Sequence, residues 1–139
     1  MTLLGIDSGE KHMGLAIGDT ETGMVAPFKH CAPRSEEERY RMIDEAFKES
    51  GASKIVIGLP LSFRFRKTKM SEKIKLFASE LNTRLHVPVE FENEVLTSAL
   101  ASRYLGYQKG QRKKHDQHAF AAALILESYI ERKKNKNNL

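Results

Sequence analysis

The stretch LLGIDSGEKHMGLAIGD, residues 3–19, decides how this chain is built. Two short apolar segments, 2–7 and 13–19, flank the turn GEKH, and a third, MVAPFKH at 24–30, follows the turn DTETG. Connections this short join antiparallel strands, so the chain is expected to open as a three-strand meander. Asp7 ends the first apolar run and faces Gly5, Gly9 and Gly14. Two chemistries suit such a place: a carboxylate that holds a divalent cation, or a turn that receives a nucleotide phosphate.

Beyond the meander the periodicity changes. Ser35 opens SEEE, a capping box with Glu38, and Tyr40, Ile43 and Phe47 recur at helical spacing until Gly51. KIVIGLP at 54–60 is β-branched without polar alternation, as in a buried parallel strand. Ile74, Phe77, Leu81 and Leu85 mark a second helix, and VPVEFENE at 87–94 a fifth strand with Pro88 near its start. A short helix is expected from Thr97 to about Tyr104 and a last one from Asp116 to about Lys133. The order β-β-β-α-β-α-β-α-α predicts an α/β domain: a five-stranded mixed sheet with helices on both faces, its first strand central.

With 139 residues the chain has room for one core, expected over 1–134 and followed by a basic tail at 135–139. The composition, 40% hydrophobic and 29% charged, is that of a globular protein, and no apolar run approaches a membrane span. Residues 1–20 carry no basic segment before an apolar stretch and no cleavage signal, so a cytoplasmic location is expected. The single cysteine, Cys31, excludes an internal disulfide and a thiolate zinc site and reads as inert. The net charge of +5 suggests an anionic partner, because RFRKTK at 64–69, KGQRKK at 109–114 and RKKNKNNL at 132–139 concentrate it.

The carboxyl end of the central strand is a usual place for a site in such a sheet. Asp7 lies there, and Glu94 joins it if the last strand runs parallel to the first. Two carboxylates brought so close repel unless a proton or a cation neutralises them; Mg²⁺ or Mn²⁺ is the simpler solution. Glu90, Glu92 and Glu94 share a strand face, so pattern alone leaves the ligand open, and position favours Glu94. The last helix begins HDQHAF, whose His115, Asp116 and His118 can point at the same pocket. Asp116 doubles as an N-cap candidate, and His118 as a core-edge histidine. His12, His30 and His86 read as surface or strand residues.

GIDSGEKHMGLAIGD, IVIGLPLS, NEVLTSALA and ILESYIE, taken in order, resemble the four blocks of the YqgF/RuvX family, linked to pre-16S ribosomal RNA processing and Holliday junction resolution. The resemblance spans nearly the whole chain. It implies an RNase H-like fold, similarity to the RuvC resolvases, and metal-dependent hydrolysis of phosphodiesters that leaves a 5′-phosphate and a 3′-hydroxyl. The family's first metal-binding aspartate falls on Asp7, and the glutamate of its Asp-Glu-Arg-Leu-Thr-Thr block on Glu94. Asn93 and Val95 replace the aspartate and arginine of that block, and SFRFRKTK replaces a polar loop that often holds Asp-Gly. The third acidic position aligns with His118 without a gap, or with Asp116 across a gap of two. Both are named, Asp116 slightly ahead.

The reading is therefore a divalent-metal nuclease for structured nucleic acid, with Asp7, Glu94 and Asp116 or His118 holding one or two Mg²⁺ or Mn²⁺ ions. Arg64, Arg66, Lys67, Lys69, Arg112, Lys113 and Lys114 would hold the phosphate backbone, while Phe63 and Phe65 could stack on unpaired bases or pack in the core. Precursor rRNA is the expected substrate, and a Holliday junction, cut by a homodimer, the alternative. A monomer suffices for the first. A sugar-kinase-like ATPase, which needs two such domains, is excluded by length. An inactive nucleic-acid-binding module is the remaining alternative, motivated by Asn93, Val95 and His118.

Overall fold

The structure, a computed structural model, describes residues 1–9, 11–59, 69–93 and 116–137. Strands β1 (Thr2–Ser8), β2 (Met13–Asp19) and β3 (Val25–Cys31) form the expected antiparallel meander. Helix α1 (Glu36–Ser50) follows, then β4 (Lys54–Leu59), helix α2 (Lys69–Leu85), β5 (Val89–Asn93) and helix α3 (Asp116–Asn137). The sheet order is β3-β2-β1-β4-β5, with β1 central and β4 and β5 parallel to it. The expected helix at 97–104 and the basic loop at 106–115 lie outside the described residues.

Local chemistry explains the element ends. Ser35 accepts a hydrogen bond from the Glu38 amide at 3.1 Å, and Gly51 closes α1 at φ 72 in the left-handed region that glycine tolerates. Helix α2 is closed by His86, a surface residue as read from sequence, which takes φ 56 as its amide donates to the Asn82 carbonyl. Helix α3 runs to Asn137, past the expected end at Lys133 and into the expected tail. Its last turn carries Lys134 and Lys136, cations that a helix C-terminus favours.

Strand alternation divides the core between the two sheet faces. Leu4, Ile6, Met13, Leu15, Ile55 and Ile57 pack with Ile43, Ile74, Phe77 and Leu81 of α1 and α2. Leu3, Ala16 and Val56 pack with Ala122, Ile125, Leu126, Tyr129 and Ile130 of α3. Cys31 is buried in the first cluster, and burial raises its thiol pKa. No helix among the described residues is long and apolar enough to cross a membrane.

On the α3 face β1 and β2 offer glycine at positions 5, 14 and 18, and α3 comes down onto them. A Cβ at Gly14 would lie 1.9 Å from the His118 carbonyl oxygen, and one at Gly5 2.6 Å from Leu126 Cγ. Burial of side chains such as Ile125 and Leu126, worth about 1.5–3 kcal/mol each, outweighs the half-exposed Lys133–Glu90 ion pair of this helix, worth about 0–1 kcal/mol.

Candidate active site

Asp7 stands near the carboxyl end of β1, on the α3 face, as alternation from Leu3 and Gly5 requires. The turn after it is tight. The Gly9 amide donates to the His12 carbonyl at 3.0 Å, and a Cβ at Gly9 would stand 2.6 Å from that oxygen. Glycine is therefore required here for close approach, which reverses the chain directly beside Asp7.

The first turns of α3 reach the same place. His118 Nδ1 lies 3.2 Å from Asp7 Oδ2, joining residues 111 positions apart; the His118 side chain is 36% exposed and that of Asp7 19%. The contact depends on Gly14, since any side chain there would push the His118 backbone away from the sheet. Asp116 is the first residue of α3, and its side chain is not among those described; the same holds for Lys69 at the start of α2. Glu94, Arg64, Arg66, Lys67, Arg112, Lys113, Lys114, His115, Phe63 and Phe65 lie outside the described residues.

Glu90 and Glu92, which sequence pattern could not separate from Glu94, are both engaged elsewhere. Glu92 is buried, accepts from Ser128 Oγ at 2.7 Å and pairs with Arg132 Nε at 2.8 Å. Glu90 accepts from the Tyr129 hydroxyl and pairs with Lys54 Nζ at 3.0 Å. That network has the expected electrostatic signature. The Tyr129 hydroxyl, with Lys54 beside it, holds the Glu90 carboxyl below its ordinary pKa, while Glu90 raises that of Lys54. Both carboxylates thus fasten α3 to β5.

Two further histidines, read from sequence as surface or strand residues, join Asp7 and His118: His12 is exposed and His30 lies in β3, and both come to the same place. His12 Nδ1 lies 2.9 Å from His30 Nε2, and the His12 ring stacks on that of His118 with centroids 5.7 Å apart and planes 18° apart. The His30 and His118 centroids are 6.2 Å apart. A bulge decides this arrangement. Ala16 pairs with Pro27 but Leu15 with Lys29, so one extra residue in β3 brings His30, rather than Lys29, opposite Gly14 on the α3 face. Sequence offered one usable signal, Pro27 inside a strand, which marks an edge or a bulge.

Among the described residues no group of three or more histidine, cysteine or acidic side chains is arranged to hold a metal ion. The pair Asp7 and His118 nevertheless fits a share of one. Donors about 2.1 Å from an octahedral cation lie about 3.0 Å apart when adjacent, close to the spacing seen.

The fold is shared with solved resolvases. Thermus thermophilus RuvC superposes with a TM-score of 0.58 at 15% identity, covering 97% of each chain. The fowlpox virus Holliday junction resolvase gives 0.62 at 12% identity, covering 95% of this chain and 99% of that one. The architecture is thus the RNase H-like one of the resolvases. A sequence model of the RuvX family, described as Holliday junction resolvase, matches residues 1–132, and the chain belongs to that family. Relatives of known name agree. One from Chloroflexus aurantiacus is 33% identical over 140 residues, covering 98% of this chain and 90% of the relative. Another, from Caldanaerobacter subterraneus, is 33% identical over 139 residues, covering 97% and 99%. Both are provisionally named pre-16S rRNA nuclease.

Proposed function

We propose that this protein is a divalent-metal nuclease whose site is built on Asp7, His118 and Glu94, and that it processes precursor ribosomal RNA. The observation that carries the reading is the 3.2 Å approach of His118 to Asp7 at the carboxyl end of the central strand. Packing alone gives no reason to bring a carboxylate and an imidazole together at a sheet edge. Their donor atoms suit Mg²⁺ or Mn²⁺, the second more readily because it accepts imidazole nitrogen.

Glu94 is the third ligand in this reading because Glu90 and Glu92 are tied to Lys54, Tyr129, Ser128 and Arg132. His118 takes precedence in this reading because its ring lies 3.2 Å from Asp7, and Asp116, two residues earlier on the same helix, remains the alternative ligand. Asp7, Glu94 and His118 would hold the divalent cation, which would supply Lewis acidity for activating water and for stabilising charge on the phosphate oxygens. Asp7 and Glu94 supply the negative charge that retains the cation, and the 3.2 Å contact with Asp7 places His118 Nδ1 where it can share that cation. Arg64, Arg66, Lys67, Lys69, Arg112, Lys113 and Lys114 hold the phosphate backbone without reading sequence.

Precursor rRNA is favoured by the names of relatives matched over 90% and 99% of their length. Junction cleavage is the second reading, favoured by the family's description, and it requires a two-fold dimer. Cleavage of precursor rRNA, four-way DNA junctions and single strands with Mn²⁺, by wild type and Asp7→Asn, tests both. The proposal expects Mn²⁺-dependent cleavage of the rRNA precursor that the variant lacks. Cleavage by neither protein leaves a binding module as the function.

A further inference from the structure

The histidines His12 and His30 lie outside any ligand set proposed above, yet they are built against it. We propose that they form a clamp that positions the His118 ring for the cation site, His12 by stacking on it and His30 by fixing His12. This rests on the reading of His118 as a ligand.

The physical need is plain. An imidazole can turn about its terminal torsion, and a flip of the ring exchanges a nitrogen for a carbon at the position that faces Asp7. The His118 side chain is 36% exposed, and Asp7 meets its ring through a hydrogen-bond contact at one edge. The missing constraint is on the ring face. His12 supplies it with planes 18° apart.

His12 is itself held twice. Its carbonyl accepts from the Gly9 amide at 3.0 Å, which sets the backbone, and its Nδ1 meets His30 Nε2 at 2.9 Å, which sets the ring. His30 reaches this position because the β3 bulge turns it, rather than Lys29, to the α3 face, where glycine at position 14 leaves room. Three features, the Gly9 turn, the bulge and Gly14, therefore converge on one ring.

Partners that orient a metal-binding histidine are commonly worth about 10–100-fold in metal affinity or activity. Mn²⁺ titration and single-turnover cleavage of full-length His12→Ala, His12→Phe, His30→Ala and His30→Gln test the clamp, with thermal melts to confirm folding. His12→Ala is expected to weaken Mn²⁺ binding by about tenfold or more and to lower kcat, with KM for nucleic acid unchanged. His12→Phe keeps a stacking ring and recovers most of the loss. His30→Ala acts in the same direction, and His30→Gln, which restores a polar atom near Nε2, reverses it.

A readout free of metal and activity completes the test: long-range ¹H–¹⁵N correlations of the His118 ring. They should show one tautomer in the wild type and an averaged pattern in His12→Ala. An unchanged His118 pattern with unchanged Mn²⁺ affinity in folded His12→Ala and His30→Ala overturns the clamp. A wild type that neither binds Mn²⁺ nor cleaves overturns the nuclease reading instead, and the ring correlations then decide the clamp by themselves.

Discussion

Replacing Gly14 by alanine should separate Asp7 from His118 without touching either. The added Cβ would stand 1.9 Å from the His118 carbonyl oxygen, 2.0 Å from its carbon and 2.4 Å from the Ala119 nitrogen. All three are backbone atoms in a helix, so no side-chain rotation relieves the overlap. The start of α3 must retreat by about 1 Å or more to restore ordinary contact distances. The Asp7 to His118 separation of 3.2 Å then opens beyond hydrogen-bond reach. Overpacking of this kind costs about 3 kcal/mol, or a fall in Tm of about 10 °C. A displacement of about 1 Å in a catalytic group costs about a hundredfold in rate. Gly18→Ala is the control, because the atoms nearest its Cβ would be the terminal methyls of Leu126, Ile130 and Val25 at 3.2–3.3 Å, which can yield for less than about 1 kcal/mol. Thermal melts and single-turnover cleavage of the two variants decide the matter. A Gly14→Ala protein with the Tm and rate of the wild type would refute the reasoning.

Asp7→Asn should keep the fold, since its carboxylate is at the rim of the core, and should lose at least about a hundredfold in Mn²⁺-dependent cleavage, read by gel assay. Lys113→Ala with Lys114→Ala should weaken binding to all nucleic acids alike and make its logarithmic dependence on salt shallower by about one to two units, measured by fluorescence anisotropy. Acid stability should fall with loss of the Glu90 charge. Its folded pKa is lowered from 4.5, chiefly by the Tyr129 hydroxyl, so the stability it contributes is present above that value and lost as pH falls through the lowered one. Tyr129→Phe should therefore melt with a weaker dependence on pH in this acid window, as followed by circular dichroism.

The meander, both crossovers and the central place of β1 were legible because short turns and uninterrupted β-branched runs leave few topologies. The place of Asp7 was legible for the same reason, since the end of a central strand is a position defined by topology. His12 and His30 were not. Their meeting depends on one bulged residue in β3, and alternation counted from the DTETG turn without it would place Lys29 opposite Gly14. The ambiguity among Glu90, Glu92 and Glu94 was equally beyond pattern, because alternation fixes a face and says nothing of which carboxylates α3 will engage. Only the approach of Ser128, Tyr129 and Arg132 separates two of the three. The end of α3 was misplaced for a simpler reason: lysine and asparagine read as a frayed tail, whereas the basic residues also suit the negative end of a helix.

Anomalous diffraction from crystals soaked in Mn²⁺ tests the central claim most directly. The account predicts a peak between about 2.0 and 2.6 Å from a carboxylate oxygen of Asp7, with a nitrogen of His118 in the same coordination sphere. A saturating soak that leaves no density between those two side chains, or places the cation on Glu90 or Glu92, would contradict it.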